Sequence, residues 1–302
     1  MIIILSLVGL LVISIPAVQT HLANRLTQKI NQNFQTEMKV EGVAIGFDGA
    51  VNLSSFFIAD HHSDTLFYAK NFKTDLYSLG QWVNGNLFFS TTEFEDIFLK
   101  ITQYEGEENN ALFQFTDKLL AHAEPQSDRP VFIRIDDLKL TEGRFLMVDK
   151  NSAEKPLQFE KISLRGNNFF VVNDGVEVAL KNLKFDSKDY GKFNLNKAEF
   201  YYNPCAIDIR SFRLSSGDTH LDGNITLLLP NGNFHEFFDT ARIDMNLNGV
   251  FSSRQLENFI DLPEDFQPLE IKLSARGSLN DFEFSNLEVN QEVIQLKAKL
   301  DI

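Results

Sequence analysis

The chain has 302 residues, a 43% hydrophobic fraction and a formal charge of −14. That apolar content is close to the globular norm and argues against disorder. A net charge this acidic, with no Lys/Arg block, argues against nucleic-acid binding, which needs a basic footprint to displace counterions from phosphates.

Phenylalanine dominates the aromatics, 29 against 6 Tyr and one Trp. Phe carries no polar handle, so it suits dry surfaces, either a core or an apolar lining that something else fills. The single cysteine, Cys205, excludes an internal disulfide and a cysteine-based zinc site. Its place at a turn entering a strand reads as a small buried hydrophobe.

Taken in chain order, the first feature is an apolar run from Ile2 to Val18, interrupted only by Ser6, Gly9, Ser14 and Pro16. At 1.5 Å per residue it is near the lower limit for crossing a bilayer. Residues 1–20 are therefore expected to be a transmembrane anchor, with a cleaved signal peptide and a buried helix as the other readings. The first basic residues, Arg25 and Lys29, follow the run. Counted literally, they would place the body in the cytoplasm. Residues 21–36 continue an amphipathic helix: Val18, Leu22, Leu26, Ile30 and Phe34 recur every four residues. Such a helix could lie on the membrane, but a sheet end needs cover, so it is expected to cap the structure that follows.

From about Val40 the apolar period changes to two, and 37–302 reads as one β-rich segment. Val176, Val178 and Leu180 alternate with polar neighbours, as do Ile207 and Ile209, then Ile243, Met245 and Leu247, then Ile271 and Leu273, and finally Leu296 and Leu300. Such alternation means one dry face and one wet face, the habit of antiparallel sheets. These residues are the candidate lining of an apolar groove. Turns are expected at Asn84-Gly85-Asn86, Glu142-Gly143, Asn173-Asp174-Gly175, Ser216-Gly217-Asp218 and Asn231-Gly232-Asn233. A short unit, polar residues and then two apolar ones spaced one apart, recurs at Ser55, Asp137, Lys161, Asn182, Ser211 and Asn286. It suggests hairpins added in series. Two helical interruptions are expected, Ala111 to Ala123 and a short run after Ser252 that Pro263 and Pro268 stop.

Catalytic motifs are not found. The nucleophile elbow, the phosphate loop, the dinucleotide fingerprint and H-E-x-x-H are all missing, and His235-Glu236 lacks the second histidine. Asp60-His61-His62-Ser63-Asp64-Thr65 could hold a metal, but it reads first as a hairpin turn in which Asp and Ser bond local backbone. The expectation is a non-enzymatic protein without a cofactor.

The order of features carries a resemblance. Ser14-Ile15-Pro16-Ala17-Val18-Gln19-Thr20 closes the anchor, Val40-Glu41-Gly42-Val43-Ala44-Ile45 follows the helix, and Asp60 through Lys70 and Leu79 through Phe88 come next. This resembles the N-terminal part of the AsmA-like family, in its translocation-and-assembly-module (TamB) branch, over the whole chain. The resemblance implies a single-pass inner-membrane anchor and a periplasmic body of antiparallel hairpins curving into an elongated groove. It implies phospholipid acyl chains as cargo and an Omp85-type outer-membrane barrel (TamA-like) as partner, reached through regions beyond this C-terminus. The alternation is still running at Ile302, so the groove segment is expected to be C-terminally incomplete. The other readings are a non-lipid scaffold that offers sheet edges to outer-membrane barrel strands, and an outer-membrane β-barrel.

Overall fold

The computed structural model describes residues 15–301 apart from 47, 78–85, 122–131, 153–154, 173–174, 204, 229–240, 257–267, 279–280, 290–291 and 295–298. Most of the expected anchor lies outside these residues, as do the turn at Asn231-Gly232-Asn233, His235-Glu236 and Leu296. Among the described residues no helix is long and apolar enough to cross a membrane.

The protein is mainly β, and hydrogen-bonded neighbours follow sequence order from β1 to β14. It divides into two compact units, Met1–Ser163 and Leu164–Ile302. The first contains α1 (Pro16–Phe34), β1 (Glu37–Ile45), β2 (Ala50–Ala59), β3 (Thr65–Leu76), β4 (Asn86–Gln103), α2 (Ala111–Ala121) and β5 (Phe132–Asp149). The chain leaves it within β6 (Leu157–Val172). The second contains β7 (Gly175–Ser187), β8 (Gly191–Asn203), β9 (Ala206–Ser216), β10 (Thr219–Leu228), β11 (Arg242–Phe251) and α3 (Ser253–Leu256). It closes with β12 (Leu269–Ser278), β13 (Asp281–Val289), β14 (Glu292–Ile294) and β15 (Lys299–Asp301), the last pairing with β13.

Helix α1 opens with Pro16 in its first turn, where a missing N–H costs nothing. It runs through the expected boundary at residue 20 without a break. It does cap the sheet, but by its polar side chains. Gln19 donates to the Ile45 carbonyl and accepts from the Ile45 N–H, at 2.9 and 2.7 Å. Thr20 makes the same pair of bonds with Val43, and Asn31 with Met38. A β-edge exposes unpaired backbone groups on every second residue, and these six bonds fill them at Met38, Val43 and Ile45 of β1. Leu22, on the apolar stripe, is 51% exposed. The stripe is therefore not what docks the helix at that position.

The β2–β3 connection is the hairpin turn expected at Asp60. The Asp60 carboxylate accepts from the His62 and Asp64 N–H groups, both at 2.9 Å. The next connection departs from an all-antiparallel reading, because β4 and β5 pair in parallel along their whole length. Parallel neighbours need a long crossover, and here it contains α2. Asn110 starts that helix by accepting from the Leu112 and Phe113 N–H groups. Ala111, Leu112 and Phe115 then pack against Leu66, Tyr104 and Ile58. The helix ends at Ala121, close to expectation; α3 begins at Ser253, one residue past the serine expected to cap it.

Glu142-Gly143 is not a turn. It lies in the middle of the 18-residue strand β5, where Glu142 has φ +57°. Ser55, Asp96, Lys161, Asn168 and Ser211 share this left-handed conformation within other strands. The β1–β2 register skips from Val40↔Phe56 to Gly42↔Ser54, and the β3–β4 register from Ala69↔Ile97 to Asn71↔Glu95. At both places one residue on each strand drops out of the ladder and the register resumes unchanged, whereas at Ser211 β9 carries two residues against one on β10, a β-bulge that re-aims the side chains beyond it. Three copies of the recurring unit, at Ser55, Lys161 and Ser211, begin on a left-handed residue. The beat therefore marks breaks within strands as well as repeated hairpins. Cys205, expected to be buried, is exposed; it lies in the β8–β9 turn, outside the packed strand, and its N–H donates to Asn203.

Two outcomes are expected. Asn31→Ala should destabilise the protein by ~1–3 kcal/mol in urea and accelerate exchange of the Met38 amide, because two backbone groups lose their partner. Lys39→Ala, on an exposed pair, should change neither. Glu142→Val should cost ~1–3 kcal/mol because a branched side chain resists positive φ, whereas Glu142→Gly should be tolerated.

Candidate functional site

In an antiparallel pair, residues directly opposite one another stand on the same face. Register therefore assigns faces that alternation alone leaves open. Val176 faces Tyr202, Val178 faces Phe200 and Leu180 faces Ala198. Tyr202 and Phe200 in turn face Ile207 and Ile209. These pair with Leu227 and Ile225, which pair with Ile243 and Met245. Leu247 follows on the same face, opposite Leu273, and Ile271 lies opposite Gly249. The candidates on β7, β9, β11 and β12 thus form one row across the strands. Leu300 pairs through its backbone with Phe282 on β13.

The row is kept continuous by these breaks in the ladder. Between Leu180 and Leu183, both on the dry face opposite Ala198 and Leu195, the odd spacing would place one of them in water. Skipped register absorbs the extra residue. At Ser211 the bulge joins Ile209 to Phe212, opposite Ile225 and Gly223. The opposite face is wet. Arg213 pairs with Asp222 at 3.1 Å and Arg276 with Asp244 at 2.8 Å, while Thr226 donates to Asp208 at 2.6 Å.

Small residues are interspersed on the dry face. Gly223 stands between Phe212 and Leu247, and a Cβ there would run into the Asn246 carbonyl and the Leu247 side chain. Phe212, Ala198 and Leu221 are buried together, with Leu180, Leu195, Ile209, Leu214, Ile225, Leu247, Phe251 and Ile271 packed around them. The rest of the row is only half-buried. Among the described residues of the whole chain, the largest side chains below 2% exposure are one Leu and two Thr, Leu66, Thr92 and Thr102. None of the described Phe residues reaches that level. At one end of these strands, a cleft of about 430 Å³ is lined by Phe170, Val176 and Tyr202 together with Glu177, Tyr201, Asp208 and Arg210, of which Glu177, Tyr201 and Asp208 are successive partners on the wet face.

The first unit carries its own apolar row: Val43, Leu53, Phe72, Phe94 and Leu140 are successive partners across β1 to β5. Phe72 and Phe94 lie 4.9 Å apart, and Phe145 stacks on Phe159 at 5.9 Å.

Sequence reading missed Phe200, Tyr202, Ile225 and Leu227, which complete the second-unit row. Their signal was present, since Asn224-Ile225-Thr226-Leu227 alternates like the segments chosen. Phe212 was not grouped with Ile209 because β9 slips parity at Ser211, and Leu221 was not grouped with Ile225 because Gly223 interrupts the apolar alternation of β10.

No family model matches the chain, and no curated protein matches it.

Phe212→Ala should lower unfolding free energy by ~3–5 kcal/mol, as for a buried aromatic. Ile207→Ala, half-exposed on the same face, should cost about 1 kcal/mol. Chemical denaturation of the two variants checks the contrast.

Proposed function

We propose that this protein is the membrane-proximal segment of an inner-membrane-anchored periplasmic bridge that carries phospholipid toward the outer membrane and serves outer-membrane protein assembly. The observation that carries this reading is the dry face running in register from β7 to β12, whose large side chains other than Phe212 and Leu221 are only partly buried. Contiguous apolar surface beyond a few hundred Å² is rare on soluble monomers unless something covers it. Acyl chains would do so at a gain of ~25 cal/mol per Å² removed from water. The quoted AsmA-like strings and the mainly β architecture support the same reading.

In this reading the chain is not an enzyme and uses no cofactor. Its anchor is the apolar run at the N-terminus, its body lies in the periplasm, and a TamA-like barrel would be met through regions farther along the bridge. The scaffold alternative, in which sheet edges pair with barrel strands, loses one such edge: the outward backbone groups of Met38, Val43 and Ile45 already have partners on α1.

Mass spectrometry of lipid co-purified with residues 20–302, isolated without detergent, tests the proposal. Stoichiometric phospholipid is expected. Val178→Asp and Ile207→Asp should lose that lipid while keeping their unfolding free energies in urea within ~2 kcal/mol of wild type, because a partly exposed carboxylate can still reach water. A stable, lipid-free wild-type protein would overturn the lipid reading. Collapse of both Asp variants would mark the row as ordinary core.

A further inference from the structure

The first unit brings three metal-ligating side chains together that lie far apart in sequence. His61 and His62 sit in the β2–β3 turn, and Glu107 lies in the loop between β4 and α2. The Nε2 atoms of His61 and His62 each donate to a different oxygen of the Glu107 carboxylate, both at 2.8 Å. The three ligand atoms lie within 4.8 Å of one another. Two imidazoles and a carboxylate form a ligand set used by zinc sites that keep a fourth position open.

The side chains are held in place by other bonds. Asp60 fixes the turn through its bonds to the His62 and Asp64 N–H groups. Its other oxygen accepts from the Tyr104 hydroxyl at 2.7 Å, which ties the turn to the end of β4. The His62 ring lies against the Tyr104 ring, with centroids 3.8 Å apart. On the far side, Gln114 of α2 donates to Glu107 at 2.6 Å, the kind of outer bond that orients a carboxylate ligand.

We propose that His61, His62 and Glu107 form a binding site for a divalent transition-metal ion of the zinc class. Metal–ligand bonds of ~2.0–2.2 Å in a tetrahedron separate the donor atoms by roughly 3.3–3.6 Å, so ligand atoms that now lie within 4.8 Å of one another need to move by up to about 1.5 Å to share one ion. His62 is 46% exposed, which leaves a path for the ion and room for a water as fourth ligand. The buried Nδ1 of His61 has no hydrogen-bond partner. Without an outer bond to orient that ring, the expected affinity is at the modest, micromolar end. The nearby cations are already engaged: Lys100 with Asp64, and Lys150 over the Tyr104 ring at 4.1 Å. A bound ion would clamp the β2–β3 turn to the β4–α2 loop, independently of any lipid on the second unit.

The test is titration of the metal-free full chain in detergent with Zn²⁺ by calorimetry, and with Co²⁺ by visible absorption. One equivalent should bind, with a four-coordinate Co²⁺ spectrum and a rise in the unfolding temperature on adding Zn²⁺. Glu107→Gln and His62→Gln should each weaken binding at least tenfold, while His220→Gln, outside the cluster, should leave it unchanged. Far-UV circular dichroism identifies any variant that fails to fold, and His61→Gln then takes its place. The proposal is overturned by a lack of saturable binding to the wild-type chain, or by folded cluster variants that bind as tightly as wild type.

Discussion

Everything in this protein depends on keeping apolar side chains on one side of long strands. A strand offers two faces and a strict period of two, so a single extra residue sends every later side chain to the wrong face. Strands of 16 to 18 residues, such as β4, β5 and β6, cannot hold an uninterrupted alternation while they also bend. The chain resolves this with left-handed residues inside strands. Ser55, Asp96, Glu142, Lys161, Asn168 and Ser211 each accept an unfavourable φ, and the apolar pattern resumes on the same side beyond them. The local strain is offset by the packing it rescues, as where Phe212 is brought beside Ala198 and Leu221.

That constraint explains what the amino-acid sequence made legible. Alternation at Val176–Leu180, Ile207–Ile209, Ile243–Leu247 and Ile271–Leu273 is a direct print of one dry face, and register places all of these on it. The helix at Ala111 was readable from the helical spacing of Leu112, Phe115 and Leu119, and the turn at Asp60 because Asx bonds are local chemistry. Glu142-Gly143 misled because Gly beside a polar residue serves a turn and a break within a strand equally well. The parallel β4–β5 pair was invisible, since strand direction is decided by where a crossover returns and not by the residues within the strands. Exposure of Cys205 was missed because a strand-entering turn looks the same from either side of a surface.

The candidate sites divide along the same line. The apolar row was legible from periodicity, and only its completion by Phe200, Tyr202, Ile225 and Leu227 needed register. The histidine–glutamate cluster was half legible: His61-His62 stood out, but Glu107 lies 46 residues from His61 and carries no local signal. Long-range convergence of this kind depends on the β3–β4 hairpin returning the chain beside the β2–β3 turn.

The bonds between α1 and β1 have a wider consequence. Glutamine and asparagine end in the same amide that links residues along a backbone, so Gln19 and Asn31 offer β1 a counterfeit of a neighbouring strand. A sheet margin occupied in this way cannot template the next chain, and it sets a direction: pairing can be extended only away from the helix. The helix makes the assembly polar, with one margin sealed by its own side chains.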